Sequence, residues 1–404
     1  MMRWVARVVA GCALLLVLAD SGQAAPADPI VHAGRWLVDR SGRVVIVHGV
    51  NMPSKAPPAY PAALNFGDDD AQLIASLGFN AVRLTVERYA AEPKPGQFDD
   101  AYVGHIAETV RMLAAHGLMA LIDFHQDSWG PEFFDNGFPD WMTQTDGLPN
   151  LYQVGFPAQY LANPALNRAF DHLWANSPGV DGHGLQDEDA AILGHVASLL
   201  RDDPGLLGYE ILNEPWPGTA YPRCFTPELG CPGFDRRKYS AYYARTVPAI
   251  RRADPEHMIF YEPLVSFNYG IPTHVQPPRD PRLGFAFHDY SACSASGDAG
   301  LPVSFGTDCG FEDEWVMNNA EQHAAQTGSA LLQTEFGATT DTAELDQQLG
   351  HYDAHTMPWM FWSYTRYIDA LKPDGSLQPP TGSNLTMSMI TTLARPYPQL
   401  VAGT

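Results

Sequence analysis

The feature that most constrains this chain is an apolar run that stops at a carboxylate, Leu207-Gly-Tyr-Glu-Ile-Leu-Asn-Glu-Pro215. Bounded by Asp202-Asp-Pro-Gly205 before it and a Pro/Gly turn after it, the run reads as a strand buried on both faces, as in a parallel sheet. Proline directly after the strand ends ladder pairing, so Glu214 stands where the strand gives out, and Asn213 beside it offers a hydrogen-bond donor. Ala330-Leu-Leu-Gln-Thr-Glu-Phe-Gly337 has the same build and ends in Glu335. Two glutamate-tipped strands point to paired-carboxylate chemistry, with one carboxyl protonated as general acid and the other ionised as nucleophile or base. A lone glutamate at such a place more often caps the next helix or sits in a surface ion pair. The Asn-Glu-Pro context is what favours chemistry.

With 404 residues, 45% of them hydrophobic and 17% charged, the chain can bury a large core. A formal charge of -22 excludes nucleic acid as a partner, because phosphates would be repelled, and favours a neutral or apolar substrate. Residues 1–24 have the layout of a secretory signal: Arg3 and Arg7, an apolar segment from Val8 to Ala19, then Gly22-Gln-Ala24 as a cleavage site. That segment is too short to span a bilayer. Val9-Ala-Gly-Cys12 resembles a lipoprotein box, but most of the apolar segment follows Cys12 instead of preceding it. The remaining cysteines, Cys224, Cys231, Cys293 and Cys309, suggest two disulfides in an exported chain. Local pairs are the simplest arrangement, although four cysteines permit three connectivities. No Cys/His spacing resembles a zinc site, so neither metal nor cofactor is expected.

Along residues 25–404 apolar strands alternate with helical patterns. Gly34 to Ile46 alternates like a hairpin around Ser41-Gly42, a plug or lead-in. Strands are expected at 45–51, 78–84, 118–124, 207–212, 258–262, 283–288, 330–335 and 358–362, and helices at 68–77, 102–116, 187–201, 236–253, 311–327, 341–355 and 385–393. Pro248 should kink the fourth of these helices. An aromatic-rich loop from Ser128 to about Gly184 is too long for a mere connector. Its rings could pack on one another or line a cleft. Eight strands alternating with helices describe an α/β fold, a (β/α)8 TIM barrel, whose site lies at the strand C-terminal ends. There Asn51, Arg83, His125, Asp127, Asn213, Glu214, Glu262, His288, Tyr290, Glu335 and Trp362 would converge. Arg83 can hold Glu335 ionised through charge and hydrogen bonding. His125 and Asn213 can donate to sugar hydroxyls, His288 and Tyr290 can position the carboxylates, and Trp362 offers a flat face to a pyranose. Glu262 has no task that its strand-tip position alone defines.

Asn213-Glu-Pro215, Glu335, Arg83, His125, His288, Tyr290 and Trp362 on these strands resemble the retaining hydrolases of glycoside hydrolase family 5. Within that family, Asp123-Phe-His-Gln-Asp127, Phe170-Asp-His-Leu-Trp174, Asn51 to Pro58 with Lys55, and Arg395-Pro-Tyr-Pro-Gln-Leu-Val-Ala-Gly-Thr404 look like the endoglycoceramidases, which release an intact glycan from ceramide. The resemblance implies Glu214 as acid/base and Glu335 as nucleophile, with Lys55 and Asp127 contacting the glycan. It implies carboxyl groups about 5 to 5.5 Å apart. It also implies a glycosylceramide partner met transiently at a membrane or micelle surface, and a secreted monomer. Such enzymes commonly continue into a C-terminal β-sandwich, which is absent or truncated here, and the loop from Trp129 to Trp174 is then the candidate apolar lip for the lipid chains. The neighbouring readings are a β-glucosidase, a steryl-glucosidase, an endo-glucanase or mannanase, and, from another class, a non-catalytic glycan- or lipid-binding barrel.

Overall fold

A computed structural model describes residues 28–151, 154–290 and 309–402, and side chains within these except those of 309–311. Eight parallel strands close into a barrel: β1 (His48–Met52), β2 (Ala81–Glu87), β3 (Met119–His125), β4 (Leu206–Glu210), β5 (Met258–Tyr261), β6 (Leu283–Asp289), β7 (Ala330–Phe336) and β8 (Trp359–Phe361). Each strand alternates between an outer and an inner face. In β3, Ala120, Ile122 and Phe124 face the helices. Met119 and Leu121 join the inner cluster with Ala81, Leu207, Met258, Phe260, Ala286, Ala330, Leu332 and Met360. Further along the same strand come Asp123 and His125, also buried. The barrel is therefore apolar at its floor and charged toward the strand C-termini, which is where a TIM barrel places its chemistry.

Helices Asp68–Ser76, Asp100–Ala115, Leu185–Leu200, Cys309–Thr327 and Thr342–His355 cover the outside close to the expected ranges. Asp99 and Asp341 cap two of them by accepting backbone N–H groups. Pro248 lies inside one continuous helix, Ser240–Ala253, which is preceded by a π turn over Asp235–Tyr239. The region expected to be a hairpin is part of a small antiparallel sheet at the barrel floor, in which Trp36–Val38 pairs with both Val31–Ala33 and Val44–Val45, and Leu400–Val401 joins the edge. Ile30, Leu37 and Val45 plug the floor.

Two expectations are corrected. β4 ends at Glu210, not beside Asn213, so Ile211 to Glu214 form a segment past the strand that is tied down by Ile211 N–H to Phe260 O and Asn213 N–H to Phe124 O. Gly208 allows β4 to approach β5 so closely because a Cβ there would lie 2.1 Å from the Met258 carbonyl oxygen. The 128–184 segment is mostly a folded subcore, which narrows the expected apolar lip to its few outward-facing residues. It contains the helix Pro164–Ala175, capped by Asn163. Trp129 stacks on Phe138 and meets Phe170 edge-on, and Tyr160 stacks on Trp216. Phe133 is 1% exposed and Phe134 75%, so only part of the segment faces outward. Tyr152 lies outside the described residues.

Candidate active site

Arg83, on the inner face of β2, is fully buried and organises the site. Its Nε and Nη2 donate to Glu210 Oε2 at 2.7 Å and Oε1 at 3.1 Å. Nη1 donates to Asn51 Oδ1 at 3.0 Å and to Glu335 Oε1 at 2.5 Å, and Nη2 donates to Asn213 Oδ1 at 2.9 Å. Burial works against its charge, but Asp123, Glu210 and Glu335 outweigh it and hold Arg83 firmly protonated. Glu335 follows a register shift in the β6–β7 ladder and pairs with His288 across it. A bulge of this kind re-aims a side chain next to an active site. Tyr290 donates to Glu335 Oε2 at 2.7 Å. Burial, then Glu335, pushes the Tyr290 phenol well up, so it stays a donor. With donors on both oxygens, Glu335 is built to carry negative charge.

Glu214 has φ +41°, a left-handed conformation for a non-glycine residue. Its Oε1 accepts from Asn268 Nδ2 at 2.6 Å and lies 2.8 Å from His288 Nδ1. With Oε1 so engaged, Oε2 is the oxygen available to carry a proton. His288 Nδ1 is also 3.6 Å from Glu335 Oε2. One carboxylate oxygen of Glu214 and one of Glu335 lie within 4.8 Å of each other, which fits the close pairing of retaining enzymes and not the wider gap of inverting ones.

Both glutamates line a cavity of about 940 Å³ together with Lys55, Tyr89, His125, Asp127, Asn213, Tyr290 and Trp362. Arg83 and His288 stand behind its wall, fully buried. Lys55 pairs with Asp127 and lies 4.5 Å over the Trp362 ring. Asp127 also accepts from Asn136 Nδ2 at 2.9 Å. Burial opposes its charge, yet Lys55 and His125 hold Asp127 well below the usual carboxylate range. His125 stacks on Trp362 and meets Asp123 Oδ2 through Nδ1 at 2.5 Å. Burial and Lys55 push against a second charge, but Asp123 and Asp127 prevail and raise His125 to about 9. Asn213 donates Nδ2 to Gln126 O at 3.1 Å. Cys224 and Cys231 form a disulfide; Cys293 and the side chain of Cys309 lie outside the described residues.

The sequence reading missed Asn268, Glu210, Asp123, Asn136 and Asp135. Glu210 and Asp123 carried a signal, a carboxylate inside an otherwise apolar strand, which is costly unless paired. Asn268, in the 3-10 turn Val265–Tyr269, carried none. Asp135 lines the cavity and is raised to about 7, first by burial and then by Asp127.

The profile described as Cellulase (glycosyl hydrolase family 5) matches residues 38–367. Endoglycoceramidase I of Rhodococcus hoagii is 33% identical over 390 residues, covering 94% of this chain and 74% of the relative. An endoglycoceramidase of Hydra vulgaris is 27% identical, covering 91% and 72%. Among solved structures, endo-glycoceramidase II from Rhodococcus sp. in a cellobiose-like imidazole complex superposes with TM-score 0.75 at 27% identity, covering 91% of this chain and 82% of that one. The same enzyme in its ganglioside GM3 complex gives 0.75 at 26%, covering 92% and 84%. The strand-tip carboxylates, the barrel that presents them and these similarities agree: the chain is a glycoside hydrolase that belongs to glycosyl hydrolase family 5 and resembles the endoglycoceramidases.

Proposed function

We propose that this protein is an exported, monomeric, retaining endoglycoceramidase that cleaves the bond between the glycan and ceramide of a glycosphingolipid. The approach of Glu214 and Glu335 within 4.8 Å across one cavity carries the reading, and the endoglycoceramidase relatives support the substrate class. Glu335 attacks the anomeric carbon. The bond to the ceramide oxygen breaks with its electron pair on that oxygen, which takes the proton of Glu214. Glu214 then removes a proton from water, whose oxygen displaces Glu335 and frees the glycan. Lys55, Asp127 and His125 supply charged hydrogen-bonding groups for sugar hydroxyls, and Trp362 a flat face. The signal-like layout of residues 1–24 supports export.

The lipid approaches past Phe134, which lines the cavity and is exposed at its edge, with Leu148, Leu151 and Val154 exposed on the same inserted segment. With a net charge of -22 the contact rests on apolar side chains and not on attraction to anionic headgroups. Incubation with glucosyl-, galactosyl- and lactosylceramide and a ganglioside, followed by mass analysis, should yield intact glycan plus ceramide. NMR of the first-formed sugar should show the β anomer. Turnover of soluble glucans or mannans with no glycolipid cleavage would overturn the assignment.

A further inference from the structure

Glu262, just past β5, takes no part in the chemistry above, yet it is 2% exposed at the centre of the charged network. Its position is fixed from below: Tyr239 and Tyr243 donate to its carbonyl at 2.7 and 2.8 Å, and its N–H donates to Tyr243 Oη at 2.9 Å. Its Oε2 accepts the backbone N–H of Glu214 at 3.0 Å. Its Oε1 has no donor among the described residues, lying 3.7 Å from Arg83 Nη2. One oxygen of its carboxyl lies within 4.8 Å of one of the Glu210 carboxyl, and Oε2 is 3.7 Å from His288 Nε2.

An ionised carboxylate placed here would face a second carboxylate in a buried interior, with one oxygen that no described residue satisfies. Arg83 already serves Glu210 and Glu335. A carboxylic acid removes the conflict, because its O–H donates to Glu210 while the other oxygen still receives the Glu214 amide. We infer that Glu262 is a positioning residue that acts as a neutral acid, fixing the peptide that carries Glu214 and tying it to the Glu210–Arg83 arrangement that holds Glu335. Burial, then Glu210, pushes Glu262 well above the ordinary carboxylate range, in agreement with this state. The left-handed backbone at Glu214 gives the tether its purpose: φ +41° is an unfavourable conformation for a side-chain-bearing residue and persists only when its surroundings fix it.

The inference rests on Glu214 being the acid/base, and three variants separate the two claims. Each is assayed on a ceramide-linked glycoside, whose leaving alcohol needs a proton, and on an activated dinitrophenyl glycoside, whose leaving group needs none. Glu262→Gln keeps a neutral donor and acceptor and should retain kcat on both substrates to within about threefold. Glu262→Met fills the space without hydrogen bonds. It should lower kcat/KM on the ceramide glycoside on the order of 100-fold, the scale of a misplaced catalytic group, with far less loss of kcat/KM on the activated one. A Gln variant as impaired as the Met variant shows that charge is required and overturns the neutral acid. Equal loss on both substrates in Met assigns a merely structural role and overturns the positioning. If the Met variant does not fold, the Gln variant decides: retained kcat supports the proposal and lost kcat overturns it. Glu214→Ala tests the underlying reading separately. A fall in kcat/KM, which reports the first step alone, on the ceramide glycoside with retention on the activated one supports it, and equal loss of kcat/KM on both removes the acid/base assignment whatever Glu262 does.

Discussion

Asn268 donates its amide to Glu214 Oε1 at 2.6 Å, on the same oxygen that lies 2.8 Å from His288 Nδ1. The proposed acid/base is thus oriented from a turn far from the motif that carries it. Asn268→Leu should lower kcat/KM on ceramide-linked substrate by about 10- to 100-fold, the reach of a single positioned donor acting through a general acid. An activated aryl glycoside should be affected several-fold less, and steady-state kinetics on the two substrates measures the difference.

Glu335→Gln removes the proposed nucleophile while keeping its shape. Turnover should fall by at least about 10³-fold, as expected when a covalent route is lost. Wild-type enzyme should accumulate a covalent adduct with a slow-hydrolysing fluorosugar that the variant does not form, as read by intact-protein mass spectrometry.

His125 makes stability depend on pH. Asp123 and Asp127 lift it to about 9 in the folded protein against the ordinary value near 6.5, so its contribution is full below about pH 6.5. The contribution is lost as pH rises through 9. Melting temperature should therefore decline between pH 7 and 10 (roughly the interval set by those two values). His125→Asn should flatten that decline at the cost of a lower melting temperature at pH 6.

Asp135, raised to about 7, lines the cavity beside Lys55 and Asp127, the groups proposed to meet the glycan. Above that value it adds a charge to the cavity next to Asp127. KM for a glycoside should change across pH 6 to 8 in the wild type (about one unit either side of its titration). Asp135→Asn should hold the low-pH KM throughout, which initial-rate measurements at several pH values would register.

Phe134→Ala should reduce kcat/KM on vesicle-borne glycolipid by roughly 3- to 10-fold, the value of one buried aromatic contact reduced by partial exposure. A short-chain soluble glycoside should lose less than half as much. Phe133→Ala should instead lower the melting temperature, because Phe133 is buried in the subcore.

The barrel and most of the residues that line the cavity or stand behind its wall were legible because a parallel strand buried on both faces is written as an apolar run, and a polar residue at its end stands out. His125, His288 and Glu335 obey that grammar, whereas Arg83 lies inside β2, which runs on to Glu87. Glu214 obeyed it only loosely, since β4 stops at Glu210 and the Asn-Glu pair lies beyond, held by single backbone bonds that leave no periodic trace. Asn268 and Asp135 sit in irregular segments where no period links sequence to facing. The aromatics of 128–184 were ambiguous for the same reason, and most of them pack inward.

The small antiparallel sheet under the barrel collects residues near both ends of the described chain: Trp36–Val38, Val44–Val45 and Leu400–Val401 lie together, and Tyr397 stacks on His48 at 3.6 Å. Anything attached through the segment after Val401 therefore emerges opposite the cavity. An enzyme immobilised on a bead or fused to a carrier through that segment would keep its mouth turned to the solution, free to meet a vesicle.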